Sequence, residues 1–441
     1  MNVKDIIEIE IQSSGMNGEG ISRVDGKVVF VPYTLKGERV RAVVKQVKKN
    51  YVNASVIKIL SPSEHRVTPK CPHYYKCGGC DMGHIDDEYR KDVLMSELIG
   101  NFKKIANLIV EPGEFVRSNG ESPTRNKLSM PFGTVDGKTV LGLYRQDTHV
   151  VQPVVCGMSG KLSQKIAGVV TEFVGEKKLS VYNSETGKGL LRHLVVREID
   201  GRASATLVIN ADGFDGEQAL SDRLPDGVDF FVCKNTKRNN VIMGDSVRLI
   251  KGNERLSVNV LGVKAELSPL SFFQVNDYVR DELYKSAIDF VSSATLIDLY
   301  SGIGITSNLA AGKCDRVIAV EAVPQAVADA DRTAAQNGYS DKIQNICGDV
   351  AKVLGEIAVK GGFDVLVDPP RKGCGADVMK AIAKMKPHNI IYISCNHATM
   401  CRDIRVFRDN ADGYEITECK LFDMFPSTHH VETLCVLSEK R

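Results

Sequence analysis

Nowhere does this sequence hold an apolar run of the roughly 20 residues that a membrane-spanning helix needs. Its first residues, Met1-Asn2-Val3-Lys4-Asp5, lack the basic-then-apolar order of a secretory signal, so a cytoplasmic protein without a membrane partner is expected. Net charge is nearly absent too, 57 Lys and Arg standing against 55 Asp and Glu. That balance does not exclude a nucleic-acid partner, because a binder can confine its positive charge to one face. Hydrophobic content of 43% and charged content of 25% are ordinary for a soluble globular chain. What is present is length and thiol. The 441 residues suffice for two or three domains. The twelve cysteines, in a cytosolic protein of this size, argue for reduced thiols, metal ligation or catalysis rather than disulfides.

Residues 1–60 alternate short β-branched runs with glycine turns. Candidate strands are Ile6 to Ile11, Lys27 to Val31, Val40 to Gln46 and Ala54 to Ile59, with turns at Gly15 to Gly20, Asp25-Gly26 and Lys36-Gly37. Such spacing predicts a small closed barrel of the OB type, a common support for single-stranded nucleic acid. The segment carries ten Lys or Arg against six Asp or Glu, and Lys45, Lys48 and Lys49 precede Tyr51, a grouping suited to phosphate contact and base stacking. With Gly18-Glu19-Gly20 and Pro32 after a valine-rich strand, it resembles the TRAM domain of RNA-modifying enzymes.

After the linker Ser61-Pro62-Ser63 comes Cys71, Cys77 and Cys80 in a C-x5-C-x2-C arrangement, with Cys156 much later. Glycines 78 and 79 let the backbone wrap closely round a centre. Four thiolates there would complete either a tetrahedral zinc site or a four-iron cluster, and the residues alone do not choose. His73 and His84 are alternative ligands that fit less well than Cys156. The C-x3-C-x2-C triplet of radical enzymes is absent. A helix is expected from Asp86 to Ile109, with Val93, Leu94, Leu98, Phe102 and Ile105 on one face. Residues 122–270 read as strand-rich, with strands at Lys127 to Phe132, Val140 to Tyr144, Leu190 to Glu198 and Ser204 to Asn210. Arg125, Lys127, Arg145, Arg192 and Arg197 interrupt this region and are candidates to line an RNA groove.

From Leu270 onward strand and helix alternate as in a doubly wound sheet. Asn276 is placed to cap a helix with Val279, Leu283 and Ala287 on its apolar face. Leu296 to Tyr300 reads as a strand, Ser301 to Gly304 as a tight loop, Thr306 to Ala311 as a helix ended by Gly312, and Val317 to Val320 as a strand closing on Glu321. Ser307 stands where a dinucleotide fingerprint needs its third glycine, which counts against a pyrophosphate cofactor. Tyr414 to Leu421 and Glu432 to Leu437 read as a hairpin at the sheet edge. Two further strands end on chemistry: Phe363 to Asp368 runs into Pro369-Pro370-Arg371, and Ile390 to Ser394 delivers Cys395, a candidate nucleophile, to the strand end where ligands gather.

Asp298, Gly302, Gly304, Glu321 and Gly348-Asp349 look like the S-adenosylmethionine pattern of class I methyltransferases. Adding Phe272-Phe273-Gln274-Val275-Asn276, Asp368-Pro369-Pro370-Arg371, Ser394-Cys395-Asn396 and Phe425-Pro426 through His430-Val431-Glu432, the chain resembles the RNA uracil-5-methyltransferase family almost end to end. It is most similar to that family's iron-sulfur 23S ribosomal RNA members. The resemblance implies three domains: residues 1–60 an RNA-binding TRAM/OB barrel, 61–270 a central domain with a metal cluster, and 271–441 a Rossmann-like α/β methyltransferase domain. It implies Cys395 as nucleophile and Glu432 as general base. Gln274, Tyr300, Glu321, Asp349 and Asp368 would contact S-adenosylmethionine, and Cys71, Cys77, Cys80 and Cys156 would hold a [4Fe-4S] cluster, with zinc the lesser alternative. The partner would be RNA, 23S ribosomal RNA before transfer RNA. Two departures stand out: His397 replaces a frequent proline, which could alter the turn presenting the thiol, and Ile305 replaces an asparagine that contacts cofactor in some members. Cytosine-5 methylation is the nearest rival chemistry, but its enzymes pair two cysteines. Arg371 argues against amino-group methylation, whose enzymes prefer an aromatic after the double proline. An RNA-binding metal protein without activity is the non-enzyme alternative. The proposed thiolate requires surroundings that lower the pKa of Cys395.

Overall fold

In the N-terminal sheet, turn chemistry sets the strand lengths. Asp25 and Gly26 both adopt positive φ (51° and 76°), as a tight two-residue hairpin requires, and they join Gly20–Val24 to Lys27–Val31. The structure, a computed structural model of the chain, describes residues 1–15, 18–118, 124–146, 148–244 and 246–440. The expected turn from Gly15 to Gly20 therefore lies partly outside the described residues. Six strands form the sheet in the order Ile6–Glu10, Arg39–Val47, Tyr51–Ser61, Lys27–Val31, Gly20–Val24, Ser13–Ser14. Period-two alternation sends Val29, Val31, Val40, Ala42, Val44, Val52 and Ala54 into one core.

The central region is a second six-stranded sheet, ordered Ser246–Lys251, Val228–Lys234, Arg202–Ile209, Leu191–Ile199, Lys127–Val135, Lys138–Leu141. One face carries Leu128, Met130, Leu194, Val196, Ala205 and Leu207 against Ile166, Val170 and Phe173 of the helix Lys161–Glu176.

The C-terminal half is an α/β sheet of eight strands: Ile343–Cys347, Arg316–Glu321, Thr295–Leu299, Phe363–Val367, Asn389–Ser394, Glu432–Glu439, Tyr414–Phe422, Phe115–Val116. The first five are parallel and Glu432–Glu439 runs antiparallel to Asn389–Ser394. Both faces are buried, Leu296, Leu366 and Ile391 in one core and Ile297, Val365, Ile390 and Tyr392 in the other. This accounts for strands that are apolar without alternation.

Two pieces of the expected 61–270 segment pack with this half. The helix Asp87–Asn101, capped by Asp86, and the π-helical turn Phe102–Ala106 place Leu94, Leu98 and Phe102 in the core of Tyr392 and Phe407. The hairpin of Leu256–Val260 and Val263–Leu267 joins the opposite core. The expected C-terminal hairpin forms, but it is not the sheet edge, because Phe115–Val116 pairs parallel with Leu421 and Phe422. Among the described residues no helix is long and apolar enough to cross a membrane.

Candidate active site

The carboxyl edge of the parallel strands gathers the residues singled out from the sequence. Beyond Thr295–Leu299 the chain turns sharply, with Tyr300, Gly302 and Gly304 at φ 64°, 56° and 80°. The helix Ile305–Ala311 then begins. Glu321, ending the next strand, holds that loop: Oε2 accepts from the Gly302 N–H at 3.1 Å and Oε1 from the Val323 N–H at 2.8 Å. Asp298 Oδ2 accepts from Thr306 Oγ1 at 2.7 Å and Ser307 Oγ at 2.6 Å. The serine in place of the third glycine is thus a clamp on a buried carboxylate. Asp349 caps the short helix Val350–Val353 through the Ala351 N–H at 3.1 Å.

Asp368 follows Phe363–Val367 and is tied to the neighbouring strand by its N–H to Leu299 O at 3.3 Å. Cys395 leaves Asn389–Ser394. Asn396 then caps the helix His397–Arg408, its Oδ1 accepting from the Ala398 and Thr399 N–H groups at 3.1 and 3.2 Å. Glu432 begins the adjacent antiparallel strand, in which Thr433 pairs with Ser394, so it stands beside Cys395 at the same edge. Glu432 is only 3% exposed and its Oε2 has no partner among the described residues. The strand order gives one row: Asp349, Glu321, Tyr300, Asp368, Cys395, Glu432. Gln274 lies off the row, on the buried segment before the helix Asp277–Asp289. There Asn126 Nδ2 holds the Gln274 carbonyl at 2.9 Å and Asn276 caps the helix.

Cys395 opens into a cavity of about 150 Å³ shared with Arg371, Glu97, His429 and His430. His429 also lines a groove of about 1140 Å³ whose walls include Tyr33, Lys45 and Tyr51 of the N-terminal region and Tyr144 and Arg145 of the central region.

Residues 354–440 match the family model described as tRNA (uracil-5-)-methyltransferase, and residues 2–57 match the TRAM domain. An uncharacterized RNA methyltransferase of Caldanaerobacter subterraneus is 34% identical, covering 98% of this chain and 97% of its own. The chain belongs to the RNA uracil-5-methyltransferase family. A further RNA methyltransferase, from Halalkalibacterium halodurans, is also 34% identical, over 100% of this chain and 98% of its own. Among solved structures, that of Pyrococcus abyssi tRNA (uracil-54, C5)-methyltransferase in complex with S-adenosyl-L-homocysteine has a TM-score of 0.79 at 25% identity. It covers 98% of this chain and 100% of its own.

In this RNA methyltransferase the strand edge is dry and acidic. Burial lifts the Asp298 carboxyl to about 6 and, with the charge of Asp298 added, lifts Asp368 to about 7. Burial and then the charge of Asp368 raise Glu432 well above the usual carboxylate range. The expectation of a lowered Cys395 pKa is corrected: burial, followed by the charge of Glu432, pushes the thiol up to about 11. The Arg371 guanidinium opposes that rise. In sequence Arg371 speaks only against amino-group methylation; its place beside the thiol comes from the fold. Its loop is fastened to the helix that follows the thiol. Arg371 O accepts from Thr399 Oγ1 at 3.2 Å, Lys372 O from Arg402 Nη2 at 2.8 Å, and Asp403 Oδ2 from the Cys374 N–H at 2.7 Å. His397 causes no distortion of the turn: it starts the capped helix and its Nε2 lies 3.1 Å from Glu97 Oε1. Ile305 is a core residue, 4% exposed.

The cysteine loop docks on the central region. The Gly78 N–H donates to Tyr144 O at 2.9 Å, and a Cβ at Gly78 would sit 2.8 Å from the Gln146 backbone. Leu143–Tyr144 pairs with Val151–Gln152, which leads to Cys156. The Cys156 charge acts on both Cys77 and Cys80, and that of Cys71 acts on Cys77. Burial is the largest influence and pushes Cys80 up to about 12, while Arg125 pulls both thiols down. The Gly79 N–H points to Cys77 Sγ at 3.3 Å. Among the described residues, no three Cys, His, Asp or Glu side chains are arranged as a metal-ligand group. His84, an alternative ligand, is engaged with the Tyr74 hydroxyl at 2.8 Å. Beyond Cys80, Asp81 accepts from the His429 N–H at 2.9 Å and bonds the His429 ring, joining this loop to the cavity rim.

Proposed function

We propose that this enzyme methylates carbon 5 of a uridine in RNA through a covalent adduct on Cys395. The observation that carries the reading is that Cys395, which opens on the cavity, stands beside the buried Glu432 at one end of two paired strands. S-adenosylmethionine supplies an electrophilic methyl group on a cationic sulfonium, and a strand edge rich in buried carboxyls suits such a cation. Gln274, Tyr300, Glu321, Asp349 and Asp368 are the residues that would hold it.

Carbon 5 of uracil is a weak nucleophile. Addition of the Cys395 thiolate to carbon 6 turns the ring into an enolate whose carbon 5 takes the methyl group. Arg371 is the cation available to stabilise the thiolate. Glu432 then removes the proton from carbon 5, the carbon 5–carbon 6 double bond re-forms, and the thiolate leaves. A carboxylate of raised pKa suits that proton transfer. The target base must be unstacked to enter the cavity.

We also propose that Cys71, Cys77, Cys80 and Cys156 hold a [4Fe-4S] cluster, with zinc as the alternative. The charges of Cys71 and Cys156 acting on Cys77, those of Cys77 and Cys156 acting on Cys80, and the N–H directed at Cys77 Sγ support this. Four protein thiolates leave no open position, so the group would supply structure. Brown, anaerobically purified protein with iron and sulfide is expected; colourless protein with one zinc per chain would overturn the cluster.

For the target we infer 23S ribosomal RNA from the resemblance to iron-sulfur members. Transfer RNA is the second reading, favoured because a transfer RNA enzyme matches this chain along almost its whole length, barrel included. The test is a denaturing gel of protein incubated with 5-fluorouridine-containing 23S ribosomal RNA or transfer RNA transcripts and S-adenosylmethionine. Wild type should form a heat-stable adduct with 23S ribosomal RNA. Cys395→Ala should form none, and its turnover on ordinary RNA should fall by at least about 10⁴-fold. An adduct confined to transfer RNA changes the target. No adduct from an enzyme that still methylates RNA removes the thiolate mechanism.

A further inference from the structure

The central sheet has one apolar face, described above, and one that holds cations, Arg197 buried and Lys127 half-buried. Because Leu128 and Met130 point into the core, Lys127 and Ser129 point the other way; because Leu194 and Val196 do, His193 and Arg197 share the face of Lys127. The register sets Arg197 directly opposite Lys127, and Val195 opposite Ser129.

Four polar groups on this face lack partners. Arg197 is 5% exposed; its Nη2 donates to Ser271 O at 2.6 Å, but its Nε is buried with none. Ser129 Oγ and His193 Nδ1 are likewise buried and unsatisfied. Lys127 takes part in no hydrogen bond or ion pair among the described residues, and the charge acting on it is that of Arg197. Two adjacent like charges, largely removed from water and without a carboxylate, are costly unless an anion completes them. A guanidinium, an ammonium and a hydroxyl on one face are what a phosphate group takes.

The position agrees. Ser271, bonded to Arg197, is followed by Phe272, 72% exposed, and by Gln274, whose carbonyl is held by the neighbour of Lys127, Asn126. Arg125, two residues earlier, acts on both His430 of the cavity and the cysteine loop.

We propose that Lys127, Ser129, His193 and Arg197 form a binding site for a backbone phosphate of the RNA substrate, close to the nucleotide that enters the cavity. The proposal rests on the RNA reading above and deepens it.

Lys127→Met tests it, because Lys127 has no structural partner among the described residues to lose. With the transcript that the wild type methylates, 23S ribosomal RNA or transfer RNA, the RNA Kd should rise about tenfold near 0.15 M salt, and the log–log salt slope should fall by about 0.7 to 0.9. The S-adenosylmethionine Kd should not change, and the Tm should stay level or rise. Ser129→Ala should weaken RNA binding about threefold. Unchanged RNA affinity and salt slope in Lys127→Met, beside a wild type that methylates RNA, overturns this site alone. Weakened S-adenosylmethionine binding with RNA binding intact assigns the cations to the cofactor's carboxylate and also overturns it. A wild type that binds and methylates neither transcript removes the RNA reading itself.

Discussion

Two regions bury charge of opposite sign and deal with it differently. At the catalytic edge, Asp298, Asp368 and Glu432 crowd together with Arg371 as the opposing cation. A carboxyl can escape burial by keeping its proton, and these three are driven that way. On the inner face of the central sheet, Lys127 is lowered to about 8, but an arginine cannot give up its proton in the physiological range. The acidic region can therefore neutralise itself and act as a proton store; the basic one needs a ligand. In the roles proposed above, the first moves a proton and the second meets an anion.

The contrast is sharpest at Glu432. Glu432→Gln should lower turnover by about 10²- to 10⁴-fold while the methylated covalent adduct accumulates, because addition is untouched and elimination lacks its base. Rapid-quench gels read both; near-normal turnover without accumulation would place the base elsewhere.

Asp368→Asn asks whether the acids carry the protons assigned to them. An ordinary aspartate titrates near 3.8, whereas Asp368 in the folded chain does so near 7. The folded state therefore holds an extra proton between those values, and the stability this gives is present below the lower one and lost as pH rises through the higher. The variant should remove roughly 2 kcal/mol of that pH dependence, allowing for relaxation around the site. Denaturant unfolding at pH 5 and pH 8 measures it, and an unchanged difference would mean that Asp368 is already ionised.

Arg371→Gln makes the edge wholly acidic. Loss of the guanidinium raises the Cys395 thiol further, so adduct formation at pH 7.5 should slow about tenfold and recover as pH rises towards the thiol pKa. A rate deficit of the same size at every pH would give Arg371 a role other than thiolate stabilisation.

Much of this was legible in the sequence where the signal is local. Lys27–Val31 is bounded by turn residues, Asn276 is a helix cap, and the run before Cys395 is too apolar for any strand but a central one. The strand-end positions of Glu321, Asp368 and Cys395 were legible too, whereas the order of the row comes from the sheet. What escaped were pairings that leave no local trace. Phe115–Val116 is two residues long and owes its strand to a partner some 300 residues away. Arg90 carries no apolar signal in its helix, yet it is buried against Asp423 through two contacts of 2.8 Å. The rise of the Cys395 thiol has the same origin: burial first and the charge of Glu432 second, both set by the packed sheet and neither legible in Ser394-Cys395-Asn396.

The strand Phe115–Val116 and the helix Asp87–Asn101 also govern how the chain can be made. Both are synthesised early, yet the strand pairs with Tyr414–Phe422 and the helix packs against His397–Arg408, so the sheet cannot close its outer edge until synthesis is almost complete. Contacts so distant in sequence slow folding. Until they form, the apolar face of the early helix and the open edge at Tyr414–Phe422 remain available to other chains. A fragment beginning near residue 270 would keep every catalytic side chain of the row and still lack the segment that seals its sheet, so activity and solubility should be sought in the whole chain.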